Sequence, residues 1–288
     1  MLRMATSPTD GILLVDKPAG MTSHDAVAIV RRARAGIKAG HTGTLDPMAT
    51  GLLLVALGRA TRLIRFVPSE PKVYQATIRF GTATDTDDAT GREVDSAPAP
   101  VEAVVRDAIV QFIGTFEQRP PSFSARHVGG RRAYALARKG ETPDLAPTPV
   151  TVHSWDVEAF AEGVLTATIT CSAGTYIRAL ARDLGQLAGS VAHLSELRRT
   201  QIGPFDVRDA VAPVEAETAP LVSGADALSG MTHQVVDATE TVQVSIGRAI
   251  VAREPGAHAA LVNDTGELVA VAERDGDHWQ PRVVFAHD

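Results

Sequence analysis

The sequence predicts an α/β (α+β) fold over residues 1–205, a linker over 206–234 and a small β-rich domain over 235–288. Three observations lead there. The apolar runs GILLVDKP (11–18) and LLLVAL (52–57) read as buried strands, and VYQATIRFG (73–81) alternates in strand fashion. SHDAVAIVRRARAGI (23–37) and TYIRALARDLGQLAG (175–189) carry the spacing of amphipathic helices. After an acidic, Ala-rich stretch, VQVSIG, HAALVND, ELVAVAERDG and RVVFAHD read as short strands joined by turns.

Each element has a local reason. Ser23 is placed to cap the first helix, with Ala26, Ile29 and Val30 on its apolar face and Arg31, Arg32 and Arg34 exposed near its end. ATRLIRF (60–66) reads as a short helix and VEAVVRDAIVQFIGTF (101–116) as a longer one. TATDTDDATGREV (82–94) is a polar loop whose acids do not keep the spacing of a calcium loop. PPSFSARHVGGRRAYALARKGETP (120–143) reads as a loop and then a short basic helix. VHSWDVEAF and VLTATITC form a strand pair, and HLSELRRTQIGPF (193–205) closes the body.

Composition narrows the class. A 44% hydrophobic chain of mean hydropathy +0.02 can build a core, and 5% aromatics means a core mostly of Leu, Val, Ile and Ala. No apolar run approaches the ~20 residues of a membrane span, and MLRMATSPTD is not of signal-peptide type, so a cytoplasmic protein is expected. The single cysteine, Cys171, excludes an intrachain disulfide and a multi-cysteine zinc site, and the scattered histidines give no metal-ligand spacing. The net charge of −6 is unevenly spread. From residue 206 onward there are 5 bases and 14 acids; residues 1–205 hold 23 bases and 20 acids. The body can therefore meet an anion, whereas the tail is acidic.

GHTGTLDPMATG (40–51) carries one acid, Asp46, in a rigid setting. Pro47 holds Asp46 in extended geometry, and Gly43 and Gly51 permit tight turns or a close approach. An Asp-Pro pair commonly does no more than cap a turn. Three other segments favour chemistry. KPAGMTSHD (17–25) puts a lysine at a strand end. KVYQA (72–76) puts a tyrosine on a strand beside a lysine. CSAGTYIRALARDLG (171–185) puts Arg178 in the first turn of a helix. An arginine paired with Asp46 would keep it ionised, as a nucleophile or base must be, and a tyrosine face can stack on an extruded base.

These segments, together with HLSELRRTQIGPF and PPSFSARHVGGRRAYALARKG, resemble in order the motifs of the TruB family of tRNA pseudouridine synthases over residues 11–205. The resemblance implies a mixed, mostly antiparallel sheet in the catalytic domain (1–205), and a PUA-like C-terminal domain. It implies isomerisation of uridine 55 in the tRNA T-loop to pseudouridine, by base flipping, without cofactor or metal. Asp46 would be the catalytic aspartate and Arg178 its partner. Tyr74 would stack on the uracil, His41 would help displace it, and Tyr176 and Leu197 would line its pocket. Lys17 and Pro18 would support the catalytic loop. The 120–143 insertion would grip the T-arm, with Arg126, Arg131, Arg132, Arg138, Arg198 and Arg199 as candidates for RNA contact. The partner implied is tRNA, with no membrane and no obligate protein partner, for a monomeric enzyme. Whether Asp46 attacks the ring, attacks the ribose or acts as a base is left open by the sequence, as is RNA contact by the acidic C-terminal domain.

Overall fold

The computed structural model describes residues 9–123, 127–128, 131–132 and 145–285. In chain order its strands are β1 (Gly11–Lys17), β2 (Ala39–Thr42), β3 (Thr50–Leu57), β4 (Lys72–Phe80), β5 (Thr82–Thr84), β6 (Glu93–Ser96), β7 (Gly114–Gln118), β8 (His127–Val128), β9 (Arg131–Arg132), β10 (Thr148–Ala161), β11 (Val164–Cys171), β12 (Ala192–Ile202), β13 (Phe205–Asp206), β14 (Thr232–Val235), β15 (Ile250–Val251), β16 (His258–Val262), β17 (Leu268–Asp275) and β18 (His278–Val284). The α-helices are α1 (Ser23–Ala33), α2 (Glu102–Val110), α3 (Ile177–Leu187), α4 (Gly224–Ala227) and α5 (Ala238–Ser245). Strands of both orientations, mostly antiparallel, make this the mixed α/β fold expected.

The chain forms two compact units that interleave along the sequence. The first holds residues 1–46, 52–69 and 204–288; the second holds 47–51 and 70–203. Of the four boundaries, one falls at the Asp46–Pro47 bond, inside the GHTGTLDPMATG loop.

In the first unit β2 pairs antiparallel with β3, and β1 lies beside β3. Helix α1 packs Ala26 and Val30 against Leu13, Val15, Leu53, Val55 and Leu57. The stretch read as a linker is held to β1: the Ile12 and Asp16 amides donate to the carbonyls of Val222 and Val211. Its Ala216, Ala219 and Leu221 join the same core, and Arg34 donates to the carbonyls of Ala216 and Ala219 instead of standing free on the helix.

The same unit contains the C-terminal sheet, ordered β14-β16-β17-β18-β15. Its core gathers around Trp279, whose indole donates to the buried Gln234 carboxamide at 2.8 Å. VQVSIG, expected as a strand, lies largely in helix α5. Asp237 accepts from the Glu240 amide and the Glu240 carboxylate accepts in return, and this capping box starts a helix that alternation of β-branched residues does not suggest.

The second unit is an antiparallel sheet ordered β12-β4-β11-β10-β7, with β4 between β11 and β12. Helix α2 ends at Val110, earlier than its apolar pattern, because Gly114 starts β7 and Phe116 pairs with Val150 of β10. Ile109 and Phe112 are buried, and Phe112 packs on Trp155 and Phe116. In the insertion, β8 pairs antiparallel with β9; the basic helix expected after the loop falls largely on residues 133–144, which lie outside the described part of the chain.

Candidate active site

In the first unit, the loop that leads to Asp46 is fixed from two sides. Strand β1 ends at Lys17, which is fully buried and donates to the carbonyls of Pro18 at 2.9 Å and Met21 at 2.8 Å. Its ammonium shapes the KPAGM turn, and Pro18 itself is exposed. The helix cap differs from expectation. Thr22, not Ser23, caps α1: its hydroxyl accepts from the Asp25 amide, and the Asp25 carboxylate accepts from the Thr22 amide. Ser23 is released for another task. Its buried hydroxyl accepts from the Leu45 amide at 2.9 Å and donates to the Leu45 carbonyl at 3.1 Å. Both backbone groups of the residue before Asp46 are thus tied to the start of a helix. Asp46 is half-buried. His41 lies on β2 opposite Val55, its ring edge-on to His24 at 5.3 Å.

In the second unit, the residues after Asp46 are tied to β12. Thr50 and Gly51 pair in parallel with Arg198 and Arg199. Gly51 has φ +102°, and a Cβ there would run into the Arg199 carbonyl oxygen. Glycine is thus required twice, for the conformation and for the close approach. Gly43, with φ +69°, also needs the left-handed region. Tyr74 is buried on β4 opposite Ile169 of β11 and Arg199 of β12, and Leu197 is buried opposite Ala76. Lys72 faces the same side of β4. Burial, and then the charge of Arg199, bring its ammonium down to about 8. Burial pushes the Cys171 thiol, opposite Lys72, up to about 11, so it is inert as a nucleophile at neutral pH.

Arg178 sits in the first turn of α3 and is 3% exposed. Its guanidinium donates to the carbonyls of Thr86 at 2.7 Å and Phe123 at 2.9 Å, and its Nε lies 3.6 Å from the Asp88 carboxylate. Asp88 is itself held by the Thr86 and Thr90 hydroxyls, at 2.8 and 2.6 Å, and by the Thr90 amide at 3.0 Å. The acid-rich 82–94 loop, read from the sequence only as a polar loop without calcium-loop spacing, is therefore a seat for α3 arginines. One turn on, Arg182 contacts Asp87 at 3.0 Å and Asp183 at 2.8 Å. Burial raises the Asp87 carboxyl above its ordinary value, and Arg182 opposes that rise. Tyr176 is the N-cap residue of α3 and is half-buried.

The arginine candidates divide. Arg198 is half-buried on β12, and Arg199 is 0% exposed, a correction to its expected place on an RNA-facing surface. Neighbours on a strand face opposite ways, so an Arg-Arg pair on a sheet strand sends one guanidinium inward. Arg131 and Arg132 belong to β9, whereas Arg126 and Arg138 lie outside the described residues.

Comparison with known proteins gives the class first, that of the pseudouridylate synthases. Residues 31–177 match the model described as TruB family pseudouridylate synthase (N terminal domain), and residues 178–224 match the tRNA pseudouridylate synthase B C-terminal domain. Proteins named tRNA pseudouridine synthase B are similar over nearly the whole chain. That of Arthrobacter sp. (strain FB24) is 43% identical, covering 96% of each chain. That of Thermobifida fusca (strain YX) is 43% identical, covering 96% of this chain and 99% of the relative. The fold is also that of a Cbf5-Nop10-Gar1 complex crystal structure, with a TM-score of 0.72 and 24% identity over 97% of this chain and 86% of that one. The chain belongs to the TruB family of pseudouridine synthases. Its reaction is the isomerisation of uridine to pseudouridine.

Proposed function

We propose that this enzyme modifies uridine 55 in the T-loop of tRNA, with Asp46 as the catalytic carboxylate. The bracing of the Asp46 loop carries the reading: Ser23 fixes the preceding residue, and Gly51 draws the following strand onto β12. A side chain aimed this rigidly suits a reaction in which the N1–C1′ bond breaks, the uracil turns and a C5–C1′ bond forms within one site. In this reading Arg178 pairs with Asp46, and Tyr74 stacks on the uracil. His41 helps displace the base, Tyr176 and Leu197 line the pocket, and Lys17 and Pro18 support the loop.

The base must leave the folded T-loop to react, which costs on the order of a few kcal/mol. Contacts from the 120–143 insertion, through Arg126, Arg131, Arg132 and Arg138, and from Arg198 offset that cost. The catalytic domain is taken as 1–205 and the PUA-like domain as 235–288. The enzyme acts as a cytoplasmic monomer on bare tRNA, with no obligate protein partner. Among the described residues no helix is long and apolar enough to cross a membrane.

The test is incubation with an unmodified tRNA transcript, without added metal or cofactor, and mapping of pseudouridine by nucleotide. Product at position 55 with the wild type, and none with Asp46→Asn, is expected. Bound tRNA with no product from the wild type refutes the proposal; product only in the presence of a guide RNA and protein partners assigns the chain to a guided reaction instead.

A further inference from the structure

Gln118 closes strand β7 and is buried to within 1%. Its carboxamide takes both backbone groups of Tyr176: Oε1 accepts from the Tyr176 amide at 2.9 Å, and Nε2 donates to the Tyr176 carbonyl at 3.1 Å. Tyr176 is the N-cap residue of α3, and its own side chain makes no capping bond. A tyrosine has no short side-chain acceptor with which to close a helix start. A glutamine 58 residues away in sequence supplies that closure, and the Tyr176 carbonyl also accepts the Leu180 amide of the helix at 3.1 Å. Two more bonds run the same way. The Arg119 carbonyl accepts from Arg182 at 2.9 Å, and the Phe123 carbonyl accepts from Arg178 at 2.9 Å. Residues 118–123, the lead-in to the insertion, are thus bonded to α3 at Tyr176, Arg178 and Arg182.

We infer that Gln118 is a positioning residue: by gripping both backbone groups of Tyr176 it fixes the first turn of α3, and with it the Arg178 guanidinium, to the root of the 120–143 insertion. The inference rests on the roles proposed above for Tyr176 and Arg178, neither of which Gln118 replaces, since it acts through the backbone. Gln118→Met keeps the length and apolar volume of the side chain and removes both bonds. A misplacement of about 1 Å at a reacting group can cost on the order of 100-fold.

The experiment compares wild type, Gln118→Met, the shorter Gln118→Asn and Val152→Ala. Val152 is a fully buried residue of β10, within the same sheet, and its truncation controls for lost stability. Three quantities are read: single-turnover pseudouridine formation, tRNA affinity and hydrogen exchange of the Tyr176 amide. Expected for Gln118→Met is a fall of about 10- to 100-fold in rate, affinity within about threefold, and faster Tyr176 exchange. Gln118→Asn should show the same pattern, and remains the test if the Met variant does not fold. An unchanged rate beside an active wild type overturns the inference, and so does an equal rate loss in Val152→Ala at matched stability. A wild type that makes no pseudouridine refutes the proposed function instead. Tyr176 exchange then decides the positioning alone: retained protection in Gln118→Met overturns it, and lost protection upholds it.

Discussion

The Ser23 hydroxyl holds both the amide and the carbonyl of Leu45, at 2.9 and 3.1 Å, and so clamps the chain one residue before Asp46. Ser23→Ala strands two backbone groups of a buried residue, which costs about 1–3 kcal/mol. The Thr22 cap is untouched, so helix α1 should persist while the loop loosens. The expected outcome is lower single-turnover activity with near-wild-type tRNA affinity; chemical denaturation gives the stability loss. A fully active Ser23→Ala would show that the clamp does not aim Asp46.

Gly51 and Gly20 form a matched pair. Both have positive φ, +102° and +84°, but only Gly51 has a backbone against it; nothing lies within 4 Å of a Cβ at Gly20. Gly20→Ala should cost about 1 kcal/mol of backbone strain. Gly51→Ala should cost more than that and also separate Thr50–Gly51 from Arg198–Arg199. Urea midpoints of the two variants, together with their activities, check this. Equal losses would mean that β12 yields to the added methyl.

Asp88 and Arg178 form a buried pair with side chains 7% and 4% exposed. Removing the carboxylate by Asp88→Ala leaves a buried guanidinium short of one charge partner, a change on the order of 3 kcal/mol. Stability and rate should fall together, whereas Asp88→Asn, which keeps the acceptor oxygen for the Thr86 and Thr90 bonds, should lose less stability. Thermal unfolding and single-turnover rates separate the two.

Lys72 makes a pH prediction. Its folded value, about 8, lies below the ordinary 10.5 because burial disfavours the ammonium. Between those values the unfolded chain binds more protons than the native one, so this contribution to stability rises with pH. Below about pH 8 the charged form is a burden in the folded state, and above 10.5 the burden is gone. Lys72→Met should therefore be more stable than wild type at pH 7, by on the order of a few kcal/mol, with the gap narrowing from pH 8 to 10.5. Urea unfolding of both proteins across that range measures it; a constant gap contradicts it.

Local patterning accounts for most of the fold. The buried runs at β1 and β3, the alternation of β4 and the periodicity of α1 and α3 are properties of neighbouring side chains, and all appear where the sequence puts them. The motifs that carry the family and the proposed site residues are legible for the same reason, since GHTGTLDP, KVYQA and GTYIR are contiguous strings.

What escaped was decided at a distance. Thr22 or Ser23 could each cap α1, and Leu45, 22 residues away, takes Ser23. Arg198 and Arg199 are equivalent as text, and the pleat of β12 buries one of them. Asp88 reads as one acid in a polar loop until Arg178 reaches it, and Gln118 reads as a strand end until Tyr176 does. By itself, then, the sequence determined most of the elements, the family and the candidate residues for the chemistry, because periodicity and motif are encoded between neighbours. The tertiary structure alone decided which polar side chains brace them, because a buried donor or acceptor must find its partner wherever the fold brings one.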